Sequence, residues 1–216
     1  MAWWDYGYWI TRIAHRIPNA NPSQATQPVT SVASFFTAQD EKSANEVRQE
    51  LGSAYIIIDH ETAIGKFWAI VLWAGKEQNE FVGIYYLPQE NEPPVPVQVF
   101  YPEYYRSLSS RLYNFDGKAV TPESTVVISH EEMVSQEGTL LKVIDSAEQF
   151  TSYEEAETYL SSRESGDYKI VGANQFISPV PLEALEHYQL IHSSDEAVRY
   201  SETGVVPAVK IFEYID

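Results

Sequence analysis

The side chains of this chain that could do chemistry together are crowded into its start. Trp3-Trp4-Asp5-Tyr6-Gly7 sets two indole N–H groups beside one carboxylate. An indole nitrogen only donates a hydrogen bond, and an ionised carboxylate only accepts. Elsewhere the reactive types are scattered. The histidines are His15, His60, His130, His187 and His192. Only the last two have a spacing near that of metal ligands, and on a helix five positions turn them about 140° apart, which suits no shared metal. His130-Glu131-Glu132 reads as a strand end entering a charged turn, and Glu154-Glu155 as helix-start charge. There is no Gly-x-Ser-x-Gly for a nucleophile elbow, no P-loop and no dinucleotide fingerprint. The absence of cysteine removes disulfides, thiol nucleophiles and zinc–thiolate sites. Asn21-Pro22-Ser23 is no glycosylation acceptor, because proline holds its middle position.

The whole composition narrows the classes further. With 216 residues, 44% of them apolar, the chain can bury a real core. Its net charge of −17 argues against a nucleic-acid partner, since such a surface repels phosphate backbones. The longest apolar run covers residues 67–74, and a membrane-spanning helix needs about 20 such residues. No basic n-region of a signal peptide precedes the aromatic start. Those aromatics are expected either to plug the core of the chain or to mark a start cut from a longer parent.

The elements that must position these residues follow from periodicity and breakers. Residues 9–17 suit a short helix stopped before Pro18, and Pro18, Pro22 and Pro28 suggest an extended loop. Residues 38–51 read as a helix with Ala44, Val47 and Leu51 on one face and Gly52 as its cap. A short strand over 55–58, bounded by Asp59, precedes a helix over 62–74 closed by Gly75. Residues 81–87 read as strand, 93–96 as a turn or linker, and 101–115 as a helix ended by Gly117. Strands are expected over 125–129, 140–144, 168–172 and 209–214. Thr151 or Ser152 can cap a helix reaching 162, and Pro181 can open one running to 191. The fold class is mixed α/β (α+β): a helix-rich part over about 1–117 and a mixed strand and helix part over about 118–216.

The pentapeptide Trp3–Gly7 resembles the WWDYG hallmark of the oligosaccharyltransferase catalytic subunit, in its C-terminal extracytoplasmic globular domain. The resemblance continues through Tyr8-Trp9-Ile10, Ala14-His15-Arg16, Asn19-Ala20-Asn21-Pro22 and Glu50-Leu51-Gly52. Later blocks are residues 111–117, Leu185-Glu186-His187-Tyr188 and Val209-Lys210-Ile211-Phe212-Glu213. The match covers most of the chain in scattered blocks and is strongest for the archaeal, single-subunit type. It implies a parent that is a multi-span enzyme of the cell membrane, with this domain on the extracytoplasmic side. That enzyme transfers a lipid-linked oligosaccharide to Asn in an Asn-x-Ser/Thr acceptor polypeptide. Its Mg²⁺ or Mn²⁺ ligands would lie outside this chain, so no catalytic or metal-binding residue is expected here, and the chain alone is expected to be soluble and inactive.

The resemblance also implies a Ser/Thr pocket made of Trp3, Trp4, Asp5, Lys66 and Ile70. Asp5 would accept the proton of the acceptor hydroxyl, and the Trp3 and Trp4 indoles would donate to its lone pairs. Lys66 and Ile70, one turn apart, match the lysine and apolar positions of the family's second pocket motif, with Ile70 placed to touch a Thr methyl. The motif's acidic member is missing at its usual place, which is Ala63 here. Asp59 fills the role if residues 60–65 bulge as an insertion. Tyr6, Gly7 and Asp59 are expected to support the pocket. The competing reading is an acidic extracytoplasmic module that binds peptide or carbohydrate on exposed aromatics without catalysis. A soluble acid–base hydrolase has no supporting spacing.

Overall fold

The computed structural model describes residues 1–135, 138–163, 167–200 and 204–215. A 3-10 turn, Trp4–Tyr6, runs into α1 (Gly7–Arg12), followed by α2 (Thr26–Phe36), α3 (Glu41–Glu50) and β1 (Tyr55–Asp59). A π turn, Glu61–Gly65, leads into α4 (Phe67–Trp73). Then come β2 (Val82–Leu87), β3 (Val95–Phe100), α5 (Pro102–Arg106) and α6 (Leu108–Phe115). The long strands β4 (Thr125–Val134) and β5 (Leu140–Phe150) precede α7 (Tyr153–Ser161) and β6 (Lys169–Val171). The chain finishes with β7 (Tyr188–Ser193), β8 (Ala197–Arg199), β9 (Val205–Pro207) and β10 (Val209–Tyr214). The fold class is mixed α/β.

Two compact units share these elements. The first comprises Met1–Gln78, Arg106–Ala119 and Glu183–Asp216. Its helical core rests on α2, whose Val29, Val32, Ala33 and Phe36 are fully buried. Their spacing of three, four and seven puts them on one face, which packs on α3 and α4. Its antiparallel sheet has the order β1-β10-β7 and pairs Ile57 with Ile211 and Asp59 with Val209. Ile56, Ile58 and Phe212 are buried in it. The early strand β1 is thus fixed by the last strand of the chain, and its end delivers Asp59 toward the first residues.

The second unit comprises Asn79–Tyr105 and Val120–Leu182. Its sheet has the order β3-β2-β5-β4-β6, antiparallel except where Tyr86 of β2 meets Val143 of β5. Tyr85, Val99, Tyr101, Ile128 and Val171 form its core, and the Tyr85 and Tyr101 hydroxyls share a hydrogen bond of 2.9 Å.

Several expectations are corrected here. Residues 26–36 are a helix rather than loop, because Pro28 sits in the first turn, where no N–H is needed. The helix expected over 9–17 starts at Gly7 and ends at Arg12. The helix expected over 101–115 is two, since Ser107 caps α6 by accepting from the Ser110 N–H at 3.3 Å. The helix expected from Pro181 to 191 does not form. Glu41 accepts from the N–H groups of Glu186 and His187 at 2.9 and 2.8 Å, and β7 follows. The Pro-rich stretch enters β3, and Pro96 is tolerated because β3 is an edge strand.

Candidate functional site

The motif at the start is held by both backbone and side chains. The Ile57 N–H of β1 donates to Met1 O at 2.7 Å. Trp3 is extended, and its carbonyl accepts from the Tyr6 N–H at 3.2 Å, closing the 3-10 turn. Its indole is buried and packs on that of Trp4, with centroids 6.2 Å apart. Gly7 is a close-approach residue. A Cβ there would lie 2.4 Å from Ala20 O and 2.5 Å from Asn21 Cα, both backbone atoms. Only glycine lets the loop at 20–21 cross so near to the motif.

The second half of the site grows from the end of β1. Asp59 is buried and accepts from the Thr62 N–H at 2.9 Å, which starts the turn beyond the strand. The following turn is wide: the Lys66 N–H reaches back five residues to Glu61 O at 2.6 Å. Such a π turn accommodates an extra residue without unravelling the helix that follows. It falls within residues 60–65, where a bulge is expected if Asp59 is the acidic member. Lys66 then forms the N-cap of α4, and Ile70, one turn on, is fully buried and anchors that helix.

The two halves meet side chain to side chain. Lys66 Nζ donates to Asp5 Oδ2, and Tyr6 Oη donates to Asp59 Oδ2. Adjacent motif residues are therefore each gripped by one charged residue of the segment 59–66. The bond to Asp5 raises the Lys66 pKa against the opposing pull of burial. Burial first, then the bond to Asp59, pushes the Tyr6 phenol up. Both groups stay protonated at neutral pH, so both remain donors. The Lys66 side chain is 39% exposed, so its ion pair orients more than it stabilises.

The grip leaves two polar atoms over. Trp4 Nε1 and Asp5 Oδ1 are buried and have no hydrogen-bond partner among the described residues. An unpaired buried donor and an unpaired buried acceptor each cost on the order of 1–3 kcal/mol. Here one of each kind stands on neighbouring residues. The structure thus brings together Trp3, Trp4, Asp5, Tyr6, Asp59 and Lys66. Gly7 permits the arrangement, and Ile70 is buried in α4, one turn on from Lys66. Sequence reasoning missed Thr62, whose N–H fixes Asp59; Asp-x-x-Thr after a strand is a turn-start pattern that could have shown it. It also missed an apolar groove of about 270 Å³ against Tyr6 and Asp59, lined by Trp9, Ile10, Ile13 and Ile57 among others. Among the described residues no three His, Asp or Glu side chains gather as a metal site.

Comparisons with known proteins agree with this reading of fold and motif. Residues 1–63 match the family model of the AglB core domain, AglB core-like. Over 218 aligned positions the chain is 31% identical to the dolichyl-monophosphooligosaccharide–protein glycotransferase AglB of Haloferax volcanii. That alignment covers 91% of this chain and 20% of the relative. It is 32% identical over 144 residues to dolichyl-phosphooligosaccharide–protein glycotransferase 3 of Archaeoglobus fulgidus, covering 56% of this chain and 17% of that protein. The chain therefore spans about a fifth of the length of these curated relatives. Its fold matches the Archaeoglobus fulgidus AglB oligosaccharyltransferase in complex with an inhibitory peptide and a dolichol-phosphate. The TM-score is 0.51 at 20% identity, over 98% of this chain and 26% of that one. In fold and in its aligned sequence the chain is similar to domains of archaeal oligosaccharyltransferases. More narrowly, residues 1–63 are similar to the AglB core-like domain, and the resemblance read from the sequence blocks is borne out.

Proposed function

We propose that this chain is the acceptor-reading part of a longer membrane glycosyltransferase, presented on the extracytoplasmic side. The whole enzyme transfers a lipid-linked oligosaccharide to Asn in an Asn-x-Ser/Thr polypeptide. The names of the aligned relatives support the reaction class, and the peptide and dolichol-phosphate held by the structural relative support the two partners. The observation that carries the reading is the pair of buried, unpartnered atoms, Trp4 Nε1 and Asp5 Oδ1. A Ser or Thr hydroxyl is both donor and acceptor. It would give its proton to Asp5 Oδ1 and take the Trp4 N–H on a lone pair.

Specificity follows from the same pair. A residue without a hydroxyl leaves both buried groups unpaired, and a site built to hydrogen-bond a hydroxyl rejects such analogues strongly. Trp3 backs the Trp4 ring, and Lys66 holds Asp5 by its other oxygen. Lys66 is thus a positioning residue, and so are Tyr6 and Asp59. Ile70 fixes the helix that carries Lys66. The Mg²⁺ or Mn²⁺ ligands and the donor site belong to other parts of the longer enzyme, and a chain of these residues alone has no transfer activity.

The test is Asp5→Asn in the full-length enzyme, with initial rates on an Asn-x-Thr peptide and lipid-linked donor. The amide keeps the shape of the carboxylate and loses its charge. Loss of a charge-assisted hydrogen bond of about 1.5–3 kcal/mol lowers kcat/KM by roughly 10- to 150-fold. Wild-type rates at equal folded protein would overturn the assignment.

A further inference from the structure

The segment that follows the motif is unlike the rest of the chain. Tyr8, Trp9, Ile13 and Ile17 expose 57%, 64%, 66% and 97% of their surface. Trp9 and Ile13 stand one helical turn apart and rim the apolar groove. Large apolar side chains this exposed and this close in sequence mark an interaction surface. The charge changes as well. Residues 6–39 contain no Asp or Glu, although the whole chain has a net charge of −17. Their cationic residues are Arg12 and Arg16, with His15 between them. Neither arginine forms an ion pair among the described residues.

We infer that residues 8–17 form a docking surface for an anionic lipid bilayer. Trp and Tyr favour the level of the headgroups, where an apolar ring and a polar edge are both satisfied. Ile13 and Ile17 would enter the acyl boundary, and Arg12 and Arg16 would lie among lipid phosphates. Charge complementarity selects this occupant: on a chain of net charge −17, residues 6–39 hold two arginines and no acid, with large apolar side chains exposed beside the arginines. This inference does not rest on the acceptor reading, since no residue of the hydroxyl site belongs to the patch.

The acidic remainder of the chain gives the inference an unusual salt signature. At 0.01 M salt the Debye length is about 30 Å, and the distant carboxylates repel the bilayer. At 0.15 M it is about 8 Å, so those charges are screened while arginines in contact with phosphate still act. Binding should therefore be stronger at 0.15 M than at 0.01 M, the reverse of a simple basic peptide.

The experiment is co-sedimentation of the 216-residue chain with vesicles of phosphatidylglycerol and phosphatidylcholine, and with phosphatidylcholine alone. The expected result is association with the mixed vesicles, stronger at the higher salt. A Trp9→Ser/Ile17→Ser double variant should lose it at least tenfold, and Arg12→Gln/Arg16→Gln should lose the preference for phosphatidylglycerol. Both keep the wild-type circular dichroism spectrum, because the altered side chains are exposed. Absence of sedimentation at every salt, equal binding to the two vesicle types, or unchanged binding by the variants overturns the inference. So does reversible self-association without vesicles that the Trp9→Ser/Ile17→Ser variant abolishes, which would make a second copy the occupant.

Discussion

Lys66 Nζ takes one oxygen of Asp5 and leaves the other, Oδ1, buried without a partner among the described residues. A carboxylate free to rotate would present either oxygen and would drift toward solvent. Pinned by Oδ2, it leaves one acceptor unpaired, and the residue before it, Trp4, carries the unpaired indole N–H. Lys66→Met in the full-length enzyme should therefore lower kcat/KM by roughly two- to fivefold, the weight of a partly exposed charge pair. That is well below the loss for Asp5→Asn. The melting temperature should change little, since the lysine is 39% exposed. A loss as large as that of Asp5→Asn would make Lys66 a direct contact of the acceptor.

Tyr6 and Asp59 form the second clasp, and its worth is measurable on the isolated chain. Tyr6→Phe removes the donor to Asp59 Oδ2 and leaves a buried carboxylate oxygen unpaired. The expected cost is about 1–3 kcal/mol in urea unfolding. Asp59→Asn also weakens the acceptor for the Thr62 N–H. The double variant should cost less than the sum of the two, because the second change removes an interaction already lost. Strict additivity would show that the bond contributes nothing to folding.

Gly7→Ala tests the close approach behind the motif. The new methyl would sit 2.4–2.5 Å from the backbone at Ala20 and Asn21, which no rotamer change relieves. The cost should reach or exceed about 3 kcal/mol, the upper end for overpacking. Thermal unfolding of Gly7→Ala beside Gly52→Ala separates this from a backbone effect. Gly52 has φ 60° and open space around its missing Cβ, so its substitution costs only the strain of a left-handed residue, about 1 kcal/mol.

What could be read in the sequence was set by how local the determining forces are. The strand β1, the capped helix α7 and the last strand β10 follow from short patterns, and all three formed where expected. Ser152 accepts from the Glu155 N–H as its capping pattern implies. The segment after Pro181 failed because its backbone donors go to Glu41, 145 residues away, which no local period reveals. The helix α2 replaces the expected loop for another reason: its apolar residues share one face, and Pro28 stands in the first turn, where a proline does not break a helix. At the site Trp3, Trp4, Asp5 and Lys66 stand out in the sequence by residue type, whereas the role expected of Asp59 depends on a bulge that no local pattern shows. The pairing of Asp5 with Lys66 and of Tyr6 with Asp59 spans 61 and 53 residues, and the hydrogen bonds of Met1 with Tyr55 and Ile57 of β1 hold those ends together.

Asp40 links the stability of the first unit to pH. It is the N-cap of α3: Oδ1 accepts from the Ser43 N–H at 2.8 Å and Oδ2 from the Ser43 hydroxyl at 2.8 Å. The bond from the Ser43 backbone, and then that from its hydroxyl, hold the Asp40 carboxyl below its ordinary value of 3.8. A carboxyl whose pKa is lower in the folded state releases its proton more readily there. Its contribution is complete above the unfolded value and is lost as pH falls through the folded one. Asn caps a helix about as well as Asp and carries no titrating group, whereas Ala does not cap. At pH 7, Asp40→Ala should therefore cost about 0.5–2 kcal/mol, and Asp40→Asn only a few tenths. At pH 3 and below, the wild type should lose ground to Asp40→Asn, because protonation weakens its cap while the amide keeps bonding. Urea unfolding of the three proteins at both pH values, followed by circular dichroism, reads these differences directly. Parallel acid losses in the wild type and Asp40→Asn would assign the acid sensitivity to other carboxylates. Asp116 is the next to test: burial raises its pKa, but the ammonium groups of Lys210 and Lys118, bonded to it at 2.6 and 3.2 Å, together outweigh that and hold the carboxyl low.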